Sequence, residues 1–101
     1  MILYNVTTKV HSSIEKKWLQ WLKEEHVIDV LKTDCFTHFK ILQILEIDNS
    51  EGPTYAVQYF AESKALFNRY IEKYAVEIRN KSFIKWGDKF IAFRSVMQIV
   101  N

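Results

Sequence analysis

Along this chain, the spacing of the apolar residues alternates between the pattern of strands and the pattern of helices. Four segments rich in β-branched and aromatic residues are typical of strands, and two intervening segments have the three-to-four-residue period of helices. The predicted strands are Ile2–Val10, residues 35–47, Thr54–Ala61 and residues 89–100. The predicted order of elements is therefore β-α-β-β-α-β.

Each predicted helix begins after a serine that can accept a hydrogen bond from the first helical turn. Ser12 is followed three residues later by Glu15, which is the spacing of a capping box, and Ser63 precedes the second helix. A shorter helical piece ends at Gly87, a typical residue just after a helix. The apolar stripes are Ile14, Trp18, Trp21 and Leu22 in the first helix, and Phe67, Ile71, Tyr74 and Ile78 in the second.

This order of elements leaves few possible topologies. Strand-helix-strand connections are right-handed, and the turn DNSEGP at residues 48–53 makes a hairpin of the two middle strands. The result is a four-stranded antiparallel sheet in spatial order 4-1-3-2, with both helices on one face. We therefore predict a ferredoxin-like α+β fold in a single domain spanning residues 1–101.

Composition narrows the classes of function. The net charge of +2 is too small to indicate a nucleic acid or an anionic membrane as a partner, and no apolar run approaches the roughly 20 residues of a membrane span. Cys35 is the only cysteine, which rules out an internal disulfide. The three histidines lack metal-ligand spacing, so we predict no metal and no cofactor. The first residues do not resemble a signal peptide, which favours the cytoplasm.

One face of the predicted sheet has no helix against it, and alternation along the strands predicts its residues. We assign to the helices the sets that contain Tyr4, Tyr59 and Ile91. The uncovered face then contains Leu3, Phe60, Phe90, Ala92 and Val96 around three polar residues, Asn5, Gln58 and Arg94. Such a patch usually marks an interface, so we predict a homodimer that packs sheet against sheet as a barrel. The second strand allows two assignments. The side chains that point into the interior of the barrel are either His38 and Lys40, or Phe39, Ile41 and Gln43.

Four segments give the chain a resemblance to a known family: MILYNVT, WLQWLKEEH, TYAVQYF and GDKFIAFR. Over essentially its whole length, the chain resembles a family of small, mostly Bacteroidetes proteins of unknown function in the dimeric α+β barrel superfamily. That superfamily includes cofactor-free monooxygenases, haem-degrading enzymes, lactone isomerases and ligand-sensing domains, without a shared catalytic motif. The resemblance therefore implies a fold and a dimer. Family members often have a proline where this chain has Ile28, and a glycine where it has Asp34.

Glu25 and His26 are the candidates for acid-base chemistry. On a helical wheel Glu25 falls between Trp18 and Trp21, where loss of water would suit a general acid or base. His26 lies at the edge of this apolar arc, and histidine exchanges protons near neutral pH. The alternative is that this helix end is partly exposed, so that Glu25 extends to water and His26 interacts with the helix C-terminus.

Asn5, Gln58 and Arg94 are the candidates for ligand binding. Their strands are neighbours in the predicted sheet, so the three side chains could converge. Buried polar groups need partners, and Arg94 could bind a carboxylate or an enolate oxygen through two hydrogen bonds. The alternative is a hydrogen-bonded network across the dimer interface.

Three functions follow from these observations. The chain is a purely structural homodimer, a binder of a small acidic or aromatic molecule, or a cofactor-free enzyme. A filled interior would favour the first function, and a pocket lined by Arg94, Asn5 and Gln58 would favour the second. The enzyme, monooxygenase- or isomerase-like, requires His26 or Glu25 to reach the same pocket as a proton acceptor. We predict a structural or ligand-binding homodimer, with the enzyme as the alternative.

Overall fold

A computed structural model describes all residues, Met1–Asn101, as one sheet with helices against it. The strands are β1 (Ile2–Val10), β2 (His38–Gln43), β3 (Thr54–Ala61) and β4 (Phe90–Gln98). The helices are α1 (Glu15–Trp21), α2 (Val27–Leu31), α3 (Lys64–Lys73) and α4 (Ala75–Trp86), and a π-helical segment, Leu22–His26, joins α1 to α2. The strands pair antiparallel in the order β2-β3-β1-β4, which confirms the predicted ferredoxin-like α+β fold.

The core lies between one face of the sheet and the helices, and Tyr4 lies near its centre. The ring centroid of Tyr4 lies between 5.2 and 6.1 Å from those of Phe36, Tyr59, Phe67 and Tyr70. These rings come from β1, the segment before β2, β3 and α3. Aromatic burial therefore joins the sheet to the helices.

The first helix begins without the predicted capping box. Ile14 occupies the N-cap position and no side chain caps the helix, so the prediction for Ser12 is wrong. The backbone N–H of Ser12 instead donates to the carbonyl of Glu51 in the hairpin loop at 2.9 Å, which holds Ser12 away from the helix start. Glu15 accepts a hydrogen bond from the Tyr55 hydroxyl at 2.9 Å, and this contact fixes the start of α1 to β3.

The second helical region is capped as predicted but is divided in two. The Ser63 hydroxyl accepts a hydrogen bond from the backbone N–H of Leu66 at 3.2 Å. The helix breaks at Tyr74, where φ of −127° leaves the helical range, and α4 then runs unbroken to Trp86. Gly87 follows with a φ of +60°, a conformation that glycine adopts more readily than other residues.

The predicted faces of β4 are wrong. Val6 of β1 lies opposite Arg94 and Val10 lies opposite Phe90, and the even-numbered residues of β1 face the helices. Phe90, Ala92, Arg94 and Val96 therefore lie on the helix side of the sheet, whereas Ile91, Phe93 and Met97 lie on the uncovered face. Both sets of β4 are apolar, so alternation alone could not choose between them. The register with β1 decides.

The second strand is shorter than predicted, and its pairing with β3 selects one of the two assignments. His38 lies opposite Phe60 and Lys40 lies opposite Gln58, so His38 and Lys40 are on the uncovered face. Phe39, Ile41 and Gln43 point towards the helices. The ring of His38 stacks on that of Phe60, with centroids 4.2 Å apart and planes 3° apart.

Asp34 has a left-handed backbone, with a φ of +61°. It stands in the turn after α2, where its N–H donates to the carbonyl of Leu31 at 3.1 Å. At this position, members of the family that the sequence resembles often have glycine. A side chain with a Cβ atom is disfavoured in this region, which gives a physical reason for that glycine.

Candidate functional site

A cavity lies between the helix-side face of the sheet and the helices α1 and α4. Its volume is about 50 Å³. For comparison, one buried water needs roughly 10–15 Å³. Twelve of its 17 lining residues are hydrophobic, and the other five are Thr8, His26, Arg79, Ser82 and Arg94. Phe83 and Arg94 are exposed and lie at its mouth. The space suits a compact, mainly apolar ligand.

The π-helical segment decides which side chain of the first helix reaches the cavity. A π-helix closes its hydrogen bonds over one residue more than an α-helix does, so later side chains rotate around the axis. Glu25, predicted to lie among the tryptophans, is instead exposed and does not line the cavity. His26 takes the inward position after Leu22. Of the two alternatives for Glu25, the structure has the exposed one.

The surroundings of His26 keep its imidazole uncharged at neutral pH. Desolvation by burial is the main cause of a pKa lowered from 6.5 to about 4, which the Asp29 carboxylate opposes and the Arg94 guanidinium reinforces. The ring stacks on Trp21, with centroids 4.8 Å apart. A neutral imidazole keeps one nitrogen lone pair, so His26 can accept a hydrogen bond or a proton.

Tyr59 and Arg79 contribute buried hydrogen-bond donors that have no partner. Both the Tyr59 hydroxyl and the Arg79 Nε are buried, and neither forms a hydrogen bond. The Arg79 Nη2 donates to the hydroxyl of Tyr4 at 3.0 Å. Leaving a buried polar group unpaired costs about 1–3 kcal/mol, and such groups in native proteins call for an explanation. Both residues line the cavity, so a ligand there can supply the missing acceptor.

The charged arginine side chains that line the cavity are both positive. Arg79 and Arg94 are among the lining residues, which include no aspartate or glutamate. Burial raises the pKa of Tyr59 and of Tyr70, so both phenols stay protonated at neutral pH. Cationic groups and phenol donors without a carboxylate favour a ligand that carries a negative charge or several acceptors.

The structure separates the three residues predicted to bind a ligand. Asn5 and Gln58 lie directly opposite each other on the uncovered face, where the Asn5 amide donates to the Thr7 hydroxyl at 2.9 Å. Arg94 points to the other side of the sheet and shares its cavity with His26. The predicted convergence is therefore wrong, because it depended on the misassigned faces of β4. Ligand binding by any of the three stays a prediction.

Sequence analysis missed Tyr59 and Arg79 as site residues. Tyr59 was assigned to the helix side, and a buried tyrosine hydroxyl usually finds a partner, so a signal was present. Arg79 gave no signal, because an arginine beside an apolar stripe is ordinarily solvated.

None of the helices has the length and apolar character needed to cross a bilayer. No group of three or more His, Cys, Asp or Glu side chains is placed to hold a metal ion. Cys35 is buried, with its thiol 3.5 Å from the carbonyl oxygen of Thr33.

Family comparison finds a match over almost the entire chain. The model of a domain of unknown function, DUF4286, matches residues 1–100. The chain belongs to the DUF4286 family. This confirms the predicted resemblance to a family of unknown function, and no curated protein matches the DUF4286 chain.

Solved structures share the fold of the DUF4286 chain. A dimeric ferredoxin-like protein from an uncultured marine organism has a TM-score of 0.76 at 12% identity, over 99% of this chain and 95% of that one. The haem-degrader MhuD of Mycobacterium tuberculosis, solved with two haems in its active site, has a TM-score of 0.71 at 14% identity, over 100% and 97%. SnoaB, a cofactor-independent oxygenase from Streptomyces nogalater, has a TM-score of 0.69 at 7% identity, over 99% and 93%. At such identities the likeness shows the fold alone.

The cavity of the DUF4286 chain offers two kinds of chemistry. Its aromatic walls and unpartnered donors can bind a flat molecule that carries an acidic oxygen. Its neutral imidazole, on the same cavity, can take up a proton.

Proposed function

We propose that this DUF4286 chain is a homodimer that binds a small aromatic or acidic molecule in the cavity between sheet and helices. The observation that carries this proposal is the buried Tyr59 hydroxyl, which has no partner in a cavity lined mainly by hydrophobic side chains. A filled, dry interior would have favoured a purely structural role. An apolar cavity with a few unpaired polar groups is the usual form of a ligand site.

The size of the cavity supports a compact ligand. The cavity volume is about 50 Å³. Because one buried water needs roughly 10–15 Å³, the cavity has room for a few waters. A porphyrin, as found in the haem-degrading structural neighbour, would require large movements of α1 and α4. A cavity of roughly 150 Å³ binds benzene, so a ligand with one aromatic ring also requires some opening at the mouth, where Phe83 and Arg94 are exposed. We propose a ligand of that size, and no haem.

The uncovered sheet face supports the homodimer. Its exposed apolar residues include Leu42, Ile91, Phe93 and Met97. Strands roughly 4.8 Å apart, with up to nine residues of about 3.3 Å, give a face of roughly 20 by 30 Å. The side chains that project from this face add to its accessible area, which brings it close to the roughly 800 Å² that each partner contributes to a standard interface. A structural neighbour is described as a dimeric ferredoxin-like protein.

Native mass spectrometry of gently purified protein tests both parts of this proposal. We expect a dimer that carries a discrete extra mass for each subunit. The variant Ala92→Phe fills the cavity and should lose the extra mass, whereas Ala65→Phe, exposed on α3, should retain it. A monomer would contradict the assembly. A dimer with no extra mass, and with none gained when benzoate is added, would contradict the ligand site.

The second candidate function is a cofactor-free oxygenase- or isomerase-like enzyme. The observation in its favour is that His26, neutral and able to accept a proton, lines the same cavity as Arg94. A base with a pKa of about 4 is weak at neutral pH, so we place this function second. Oxygen uptake with hydroquinone, a one-ring probe, above the background rate and abolished in His26→Ala would support it. Equal rates in the two proteins would exclude His26 as the base.

We also propose that the protein is bacterial, because it resembles a mostly Bacteroidetes family.

A further inference from the structure

We infer that the acidic group of the ligand binds at the inner wall of the cavity, on the hydroxyls of Tyr59 and Tyr4 and the guanidinium of Arg79. The ligand class is therefore a compact aromatic carboxylate, oriented with its carboxylate inward. This inference rests on the proposed ligand site and adds an anion-binding set of residues to it. It differs from a site built on Arg94 at the mouth.

Tyr59 is the residue on which this inference depends most. Its side chain is 2% exposed, and its hydroxyl has no hydrogen-bond partner. Burial and the neighbouring phenols of Tyr70 and Tyr4 raise its pKa, so the hydroxyl remains a donor at neutral pH. A phenol held protonated and unpaired in the wall of a cavity is a donor that lacks an acceptor.

Tyr4 and Arg79 provide further donors beside it. Tyr4 lies directly opposite Tyr59 across the β1–β3 pair, with ring centroids 6.0 Å apart. The Tyr4 hydroxyl accepts from Arg79 Nη2 at 3.0 Å, so its own hydrogen is free to donate elsewhere. The Arg79 Nε–H is a third donor without a partner.

A carboxylate matches this set of groups. It offers about four lone-pair sites on two oxygens, enough for three donors, and charge-assisted hydrogen bonds are about twice as strong as neutral ones. The lining supplies no carboxylate to neutralise Arg79, whereas the rest of the wall is apolar and aromatic. An aromatic ring would therefore pack against the walls while its carboxylate pairs with Arg79.

Benzoate and benzamide test this inference, because they share a shape and differ in charge. In calorimetric titrations we expect the wild type to bind benzoate at least tenfold more tightly than benzamide. Tyr59→Phe should weaken benzoate binding about tenfold, with a smaller effect on benzamide. Arg79→Met should remove the preference for benzoate, whereas Arg69→Met, exposed on α3 and outside the cavity lining, should leave it intact.

The possible outcomes separate this inference from the proposed function. Equal wild-type affinities for the two probes would overturn the anion site but leave the cavity as a ligand site. The same holds if Arg94→Met removes the preference while Tyr59→Phe and Arg79→Met keep it. Binding of neither probe would overturn both proposals.

A direct readout covers the case in which Arg79→Met does not fold. The Nε–H resonance of Arg79 in the folded wild type should shift when benzoate is added and stay in place when benzamide is added. An unshifted resonance at saturating benzoate would overturn the inference.

Discussion

The imidazole of His26 stacks on the indole of Trp21, with ring centroids 4.8 Å apart and ring planes 30° apart. This pair forms where the π-helical segment ends, and it holds the imidazole in the wall of the cavity. Burial there lowers the pKa of His26 to about 4. A neutral, half-buried imidazole makes the stability of the fold depend on pH.

We predict that the protein loses stability as the pH falls from 6.5 to 4. Unfolding exposes His26 to water and restores a pKa near 6.5, so the unfolded chain binds more protons in this range. The free energy of unfolding should fall by about 2 kcal/mol more in the wild type than in His26→Asn between pH 7 and pH 4.5. Urea titrations at the two pH values measure this difference, and equal losses in both proteins would show that His26 is solvated.

We predict opposite effects from removing two tyrosine hydroxyls. Tyr59→Phe removes an unpartnered buried hydroxyl and should raise the free energy of unfolding by about 1 kcal/mol. Tyr55→Phe removes the hydrogen bond to the Glu15 carboxylate and should lower it by about 1 kcal/mol. Denaturant unfolding of the two variants measures both. A Tyr59→Phe protein that is less stable than the wild type would indicate that the hydroxyl has a partner.

We predict that Asp34→Gly stabilises the protein by about 0.5–1 kcal/mol. Asp34 has a φ of +61°, where a Cβ atom is strained and glycine is not. Asp34→Ala keeps the Cβ atom and removes only the carboxylate, so it serves as the matched control and should not be stabilised. Thermal unfolding measures both variants. A lower melting temperature for Asp34→Gly than for Asp34→Ala would contradict the strain.

We predict that Phe93→Glu breaks the proposed homodimer. Phe93 is 68% exposed in the single chain and lies on the uncovered face of the sheet, so a charge there would be buried between two copies. Ile84→Glu is the control, because Ile84 is 86% exposed on α4, away from this face. Sedimentation analysis should give a monomer for the first variant and a dimer for the second. A dimeric Phe93→Glu would place the interface elsewhere.

The order of the elements and the sheet topology could be predicted from the sequence, because they depend on local periodicity and on the handedness of connections. The faces of β4 could not, since Phe90 and Ile91 begin two equally apolar sets. Only the pairing of Val6 with Arg94 chooses between them. That choice moves Arg94 from the uncovered face to the cavity.

The residue of the first helix that reaches the cavity also lay beyond sequence reasoning. A helical wheel assumes 3.6 residues per turn, and with that period Glu25 points inward. The π-helical segment Leu22–His26 changes the period and brings His26 inward instead. After His26 the apolar residues Val27, Val30 and Leu31 move to another side of the helix, a pattern that does not distinguish a bend or a restart from a π-helical turn.

The most direct test of the ligand site is a ¹H–¹⁵N NMR titration of the wild type with benzoate. The Trp18 and Trp21 indole N–H signals should shift, because both rings line the cavity. The side-chain amide signals of Asn5 and Gln58, on the opposite face of the sheet, should stay in place. Shifts of the two amides with unmoved indole signals would contradict the cavity and place the ligand on the uncovered face.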